Sequence, residues 1–267
     1  MNSKILHFVQ KTVVKKIKSK TKRKAKKKIK SEVKKDISAK IKQNIDYTLY
    51  LCTDRVLMSS ATVEESVEKA IKGGVTIVQL REKDCSSKKF YETALSVKKI
   101  TDQYNVPLII NDRVDIAMAS GAAGVHIGQS DLPVKVVRKL IGYDKMIGVS
   151  VANVEEAVKA CDEGADYLGV GAMYATDTKK NTRPVSMEEL MRIRETVDIP
   201  IVVIGGINKN TLLNFKNKGI NGLAVISAIV AQEDIQGAAR EMYIAFTDRE
   251  PNQNKNVKKI EPIKVRF

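Results

Sequence analysis

Pro107-Leu108-Ile109-Ile110-Asn111-Asp112-Arg113-Val114-Asp115 joins a short apolar run to an amide, a carboxylate and a guanidinium within nine residues. A run such as Leu108 to Ile110 is what a strand buried on both faces looks like, since every side chain must enter an apolar layer. Asn111 and Asp112 then fall at its carboxyl end. In parallel α/β architectures that end opens into the loops where chemistry collects, so the polar cluster reads as a site. The competing reading is a turn and a helix N-cap, for which Asn and Asp are also suited. The stretches on either side decide between the two.

Working outward, the same texture recurs. Tyr47 to Asp54, Val75 to Arg81, Gly124 to Gly128, Lys145 to Ser150, Tyr167 to Gly171, Pro200 to Gly205 and Gly222 to Ser227 are further short apolar runs. With Leu108 to Ile110 they make eight strand candidates, each followed by a stretch that can form a helix. The clearest helical patterns are Val63 to Lys72, closed by Gly73-Gly74, then Ser87 to Tyr104, Val154 to Cys161, Met187 to Glu195 and Gln236 to Ala245. Strict strand–helix alternation predicts a parallel sheet with helical crossovers. Eight units in about 200 residues fit a single (β/α)8 TIM barrel better than an open doubly wound sheet. The open sheet would announce a dinucleotide fingerprint after the first strand, and Asp54-Arg-Val-Leu-Met is not one.

The charge divides the chain. Of 267 residues with a formal net charge of +16, residues 1–45 carry 17 Lys/Arg against Glu32 and Asp36. Taking these from the chain's 47 Lys/Arg and 31 Asp/Glu leaves 30 against 29 for residues 46–267, so the folded part is nearly neutral. The expected organisation is a lysine-rich extension over 1–45, disordered or helical, a barrel over 46–247 and a polar tail over 248–267. Residues 1–18 set Ile5, Leu6, Phe8, Val9, Val13, Val14 and Ile17 among lysines, and 18–30 is almost pure cation. The arm is expected to be a solvated tail, with a surface for an anionic polymer or membrane as the alternative. Cys52, Cys85 and Cys161 have neither CxxC spacing nor a paired histidine, which suits a reducing, cytoplasmic setting. No run is long and apolar enough for a membrane span, and no signal peptide is visible. Whether the chain forms a homo-oligomer stays open.

If the barrel is right, eight strand ends share one rim. Gln79, Arg81 and Lys83 lie on one side of the second strand by its period of two, and an amide with two cations makes a receptor for a diphosphate. Asp112 and, past the fourth strand, Asp131 offer the one or two carboxylates that Mg²⁺ takes alongside water and phosphate oxygens. Acid–base work is an alternative for the pair. Asp131 ahead of Leu132-Pro133 also reads as a helix N-cap. His126, between Val125 and Ile127, reads as a hydrogen-bonded core residue. Ser150 ends the fifth strand and can donate one hydrogen bond, but no histidine base is apparent for it, so a serine nucleophile is not expected. The long loop after the sixth strand brings Thr176, Thr178 and Lys179 to an anionic substrate. Gly205-Gly206-Ile207 and Ile226-Ser227, after strands seven and eight, stand where barrels often bind phosphate through backbone amides.

Taken in order, LYLCTD, VQLREK, LIINDRVDIA, GVHIGQSDLP, IGVSV, GADYLGVGAMYATDTKK, IGGI and AVISAI resemble the thiamine-phosphate synthase (thiamine-phosphate pyrophosphorylase) family over about residues 46–247. The resemblance implies a transferase that joins a pyrimidinylmethyl diphosphate to a thiazole phosphate, or to its carboxylated precursor, and releases diphosphate. It implies that diphosphate departs first and that the thiazole nitrogen captures the resulting pyrimidinylmethyl cation. By similarity, Gln79, Arg81, Lys83, Asn111, Ser150 and Lys179 hold the pyrimidine diphosphate, with Arg81, Lys83, Ser150 and Lys179 as the catalytic set. Asp112 and Asp131 hold Mg²⁺; Thr176, Thr178, Gly206, Ile226 and Ser227 take the thiazole phosphate. The inventory suits such chemistry, because stabilising a departing diphosphate needs cations, amides and metal rather than a strong nucleophile. One segment departs from the family pattern: the loop that usually reads close to GPIFPT is here Gly171-Ala-Met-Tyr-Ala-Thr176. It lacks two prolines and is expected to be looser.

Two other functions remain in view. A thiazole tautomerase shares the fold but needs neither diphosphate nor metal, which Arg81, Lys83, Asp112 and Asp131 argue against. A non-catalytic protein tethered to RNA or anionic membrane by its arm would leave the rim without a task.

Overall fold

In the computed structural model, residues 45–175 and 183–251 are described. Eight parallel strands close into a barrel in sequential order: β1 (Leu49–Cys52), β2 (Ile77–Leu80), β3 (Leu108–Asn111), β4 (Gly124–Ile127), β5 (Met146–Val151), β6 (Tyr167–Val170), β7 (Ile201–Ile204) and β8 (Gly222–Val225). The connections carry α1 (Val63–Lys72), α2 (Ser87–Gln103), α3 (Val114–Ser120), α4 (Val134–Ile141), α5 (Val154–Glu163), α6 (Met187–Thr196), α7 (Ser227–Val230) and α8 (Ile235–Thr247). The (β/α)8 expectation is thus borne out. Among the described residues no helix is long and apolar enough to cross a membrane.

The helices begin where the sequence supplies caps. Thr62, Ser86, Asn153, Ser186 and Asp234 each accept a hydrogen bond from the backbone N–H three residues on. The connection after β7 departs from the expected pattern, since it holds only a 3₁₀ turn, Leu212–Phe215. Its flanks explain why. Asn208 Oδ1 accepts from the Asn210 N–H and Thr211 Oγ1 donates to the Gly206 carbonyl, local bonds that compete with a helix.

The barrel strands have two faces of different character. Leu49, Leu51, Val78, Leu80, Leu108, Ile110, Val125, Ile127, Ile147, Val149, Leu168, Val170, Ile201, Val203, Leu223 and Val225 pack outward against the helices in one apolar layer. This layer is the main core. The alternate residues face the barrel interior, where Tyr47, Tyr50 and Tyr167 pack with ring centroids 5.3–5.9 Å apart from Tyr167. Above that aromatic floor the interior turns polar at Gln79, His126 and Ser150.

Gly148 makes room for the floor. A Cβ there would stand 2.3 Å from Tyr167 Oη and 2.5 Å from His126 Nδ1. Gly148→Ala is therefore expected to cost about 1–3 kcal/mol by overpacking. It is also expected to slow turnover, because the displaced rings reach into the cavity described below. Thermal denaturation and steady-state rates check both.

Candidate active site

A cavity of about 460 Å³ opens at the carboxyl ends of the strands. It is lined by Gln79, Arg81, Lys83, Asn111, Asp112, Asp131, Ser150, Gly206, Ile226 and Ser227, so these ten side chains and backbone segments of the sequence reading meet at one mouth. Thr176, Thr178 and Lys179 lie outside the described residues.

The cationic wall is braced from β1. Arg81 Nη1 lies 3.1 Å from Asp54 Oδ2, with the two side chains 17% and 11% exposed, so most water is excluded from the pair. Asp54 Oδ1 accepts from the Val56 and Leu57 N–H groups, which fixes the carboxylate before it meets the guanidinium. One residue on, Glu82 takes the Arg55 guanidinium as a fork at 2.8 and 3.0 Å. The sequence reading missed Asp54 because the pairing runs between neighbouring strand ends.

The acidic wall comes from the β3 and β4 ends. Asp112 N–H donates to the His126 carbonyl at 2.8 Å and prolongs the ladder, and the chain then turns at Asp112 with φ 60°. Asp131 Oδ2 accepts from the Gly128 N–H at 2.7 Å. It is not the N-cap of α4; Pro133 stands there, and the carboxylate is folded back toward Asp112. Burial, then the Asp131 charge and its hydrogen bond, push the Asp112 carboxyl above its ordinary range, while Lys83 and Asn111 draw it down. Two crowded carboxylates are the donor set that a hard divalent cation relieves. Among the described residues no group of three or more His, Cys, Asp or Glu gathers. The pair therefore fits an ion that takes its remaining oxygens from water and substrate.

His126 overturns one expectation. Its Nε2 lies 2.9 Å from Ser150 Oγ, so Ser150 does have a histidine partner; His126 is the buried, hydrogen-bonded residue it was read to be, and it lines the cavity as well. Nδ1 meets Tyr167 Oη at 3.1 Å, where a Ser-His-Asp triad would place a carboxylate. The signal that was available is parity: the register pairs Asn111 with His126 and His126 with Gly148, placing His126 on the inner face with Asn111. Tyr50, Cys52 and Arg183 also line the cavity without having been foreseen. Burial pushes the Cys52 thiol up to about 12, which leaves it inert as a nucleophile.

The neck of the long loop is tied down. Ala172 N–H donates to the Arg183 carbonyl at 3.0 Å and Val185 N–H to the Ala172 carbonyl at 2.8 Å. Met173 and Tyr174 donate to the Ile204 and Gly205 carbonyls, and Asn214 Nδ2 donates to Tyr174 Oη. Over 171–175 backbone pairing supplies constraint in place of the missing prolines. Gly206, at φ 65°, admits this packing, since a Cβ would stand 2.6 Å from Tyr174 Cβ.

Comparison with known proteins shows the family. A thiamine-phosphate synthase from Clostridium beijerinckii is 64% identical over 206 residues, covering 77% of this chain and 99% of that protein. One from Clostridium botulinum is 61% identical over 206 residues, covering 77% and 97%. The solved thiamine phosphate pyrophosphorylase from Pyrococcus furiosus superposes with a TM-score of 0.71 at 38% identity, covering 76% of this chain and 97% of its own. The family model described as thiamine monophosphate synthase matches residues 49–229, and the chain belongs to that family.

Proposed function

We propose that the chain is a thiamine-phosphate synthase and that the rim cavity is where 4-amino-2-methyl-5-(diphosphooxymethyl)pyrimidine is joined to 4-methyl-5-(2-phosphooxyethyl)thiazole. The observation that carries this reading is the meeting of Arg81, Lys83, Asp112 and Asp131 at one mouth above a polar interior. Arg81 and Lys83 take diphosphate oxygens, and the Asp54 carboxylate keeps the guanidinium in place before substrate arrives. The C–O bond to the pyrimidine methylene breaks with its electron pair leaving on diphosphate. The thiazole nitrogen then forms the new C–N bond from its lone pair. Gln79, Asn111 and Ser150 orient the ring, and Lys179 from the loop joins Arg81 and Lys83 on the diphosphate; Gly206, Ile226 and Ser227 hold the thiazole phosphate, with Thr176 and Thr178 from the loop.

Asp112 and Asp131 are the residues that would hold Mg²⁺, which when bound neutralises charge on the diphosphate. The chemistry is assigned to residues 46–247. The flanks 1–45 and 248–267 have no part in it, and a cytoplasmic setting suits the small-molecule substrates.

Incubating the purified protein with both substrates and Mg²⁺ is expected to release diphosphate and form thiamine phosphate. EDTA is expected to abolish turnover, and added Mg²⁺ to restore it. Undiminished activity in EDTA would remove the metal assignment and favour a tautomerase of the same fold.

A further inference from the structure

Five side chains on five strands form an unbroken file of hydrogen bonds through the barrel interior. Gln79 Nε2 donates to Tyr50 Oη at 2.8 Å, and Tyr50 Oη stands 2.7 Å from Tyr167 Oη. Tyr167 Oη stands 3.1 Å from His126 Nδ1, and His126 Nε2 stands 2.9 Å from Ser150 Oγ. Gln79 and Ser150 at the two ends line the cavity, as do Tyr50 and His126, and Tyr167 does not. The tyrosines between them are buried to 1% and 0% exposure.

Counting protons gives the file a direction. The amide nitrogen can only donate, so Tyr50 Oη accepts from Gln79. Tyr50 has one proton of its own, and Tyr167 Oη is the partner that remains for it. Were Tyr167 the donor instead, the Tyr50 proton would be left without an acceptor on a hydroxyl group of a residue only 1% exposed, a costly arrangement. Among the described residues the one buried side-chain N or O atom without a partner is Ser66 Oγ, so every member of the file is paired. The Tyr167 proton therefore goes to His126 Nδ1, which must be bare, and a neutral imidazole then carries its proton on Nε2. Nε2–H donates to Ser150 Oγ. The Ser150 proton is left to face the cavity.

We propose that the Tyr50–Tyr167–His126 file is a positioning and specificity device. It holds His126 as the Nε2–H tautomer, so that Ser150 presents a donor, and Gln79 an acceptor oxygen, to the bound ring. This rests on the reading of the cavity as a pyrimidine diphosphate site. An aminopyrimidine offers an amine donor and ring-nitrogen acceptors, the complement of that pair. An oxopyrimidine offers a carbonyl and an N–H, the reverse. On an open surface Gln79 and Ser150 could each turn to suit either ring. Here neither reverses unless all four bonds between them reverse together, so the oxo analogue meets mismatched partners.

The test uses the full chain. It has two histidines, His7 and His126, so ¹⁵N-histidine labelling with a His7→Gln control assigns the His126 ring by NMR. A bare Nδ1 and a protonated Nε2 are expected; the opposite tautomer overturns the proposal. Tyr167→Phe removes the donor to Nδ1 and is expected to give a mixed tautomer signal and a kcat about tenfold lower, the effect of one hydrogen bond. KM for the thiazole phosphate should not move. In a Ser150→Ala background the same substitution should lower kcat no further. Equal losses in both backgrounds would mark a merely structural role and overturn the proposal, and Tyr50→Phe gives a second test should Tyr167→Phe fold poorly. The tautomer is read without turnover, which separates the two claims. Turnover with the opposite tautomer removes the file alone. The expected tautomer without formation of thiamine phosphate removes the substrate reading and the specificity that rests on it.

Discussion

Replacing Asp112 with asparagine is expected to lower kcat by about 10³-fold, the scale of losing one preorganised charge at the departing group, and at the same time to raise the melting temperature. The two effects share one cause. The Asp112 carboxylate is half-buried and crowded by Asp131, so in the folded chain its ionisation is disfavoured. A carboxyl whose folded pKa lies above its unfolded value costs stability once the pH exceeds the folded value, and the cost disappears as the pH falls through it. Asparagine removes the charge and with it that cost. The gain should be no more than roughly 2–4 °C, since solvent screens a half-buried charge. It should be present at neutral pH and vanish in acid. Asparagine is the suitable replacement because the residue sits at φ 60°, where Asn is tolerated and alanine would add strain. Melting curves at neutral and acidic pH, with rates at saturating substrates, check both parts. A destabilised Asp112→Asn chain, or one with ordinary turnover, would show that this carboxylate is structural.

Arg81→Ala is expected to reduce kcat/KM by about 10²–10³-fold, because a forked guanidinium contact to diphosphate oxygens disappears. It should also cost about 1–3 kcal/mol of stability by leaving a largely buried carboxylate without its cation. That carboxylate is Asp54, whose other oxygen still accepts from Val56 and Leu57. The two losses can be separated. Asp54→Asn keeps an acceptor for the turn and removes the orphaned charge, so combining it with Arg81→Ala should restore stability without restoring activity. Arg81→Lys, which keeps the charge and loses the fork, should recover part of the rate. Full recovery by lysine would show that charge alone suffices. Recovery of turnover in the double variant would show that Arg81 acts only through folding.

The fold was legible because each strand announces itself twice, as an apolar run and as a run interrupted by a polar side chain at its carboxyl end. Leu108-Ile109-Ile110 followed by Asn111-Asp112 is one case, and Val78-Gln79-Leu80-Arg81 another. Those interruptions mark the rim, so the polar residues at strand ends were found. What escaped were residues whose role depends on parity inside the barrel. Val125 and Ile127 signal burial correctly, but they face the helices while His126 between them faces the cavity. Tyr50 and Tyr167 escaped for the same reason. Asp54 escaped because its partner is close in space across two strands and 27 residues away along the chain. Asp131 was read as a metal ligand with a helix cap as the alternative, and the cap falls away because the helix begins only beyond Pro133 and leaves the carboxylate to the Gly128 amide.

The two-faced strands have a bearing on how this sequence can drift. Along β2 and the residue after it, Val78 and Leu80 belong to the layer beneath the helices, whereas Gln79 and Arg81 belong to the cavity wall. Outward positions answer only to volume and greasiness, so one aliphatic can replace another with modest loss. Inward positions answer to the shape and polarity of what enters the mouth. Tolerance to substitution should thus rise and fall with every step along a strand, and new substrates could be sought in such a barrel by varying alternate residues while the scaffold that carries them stays untouched.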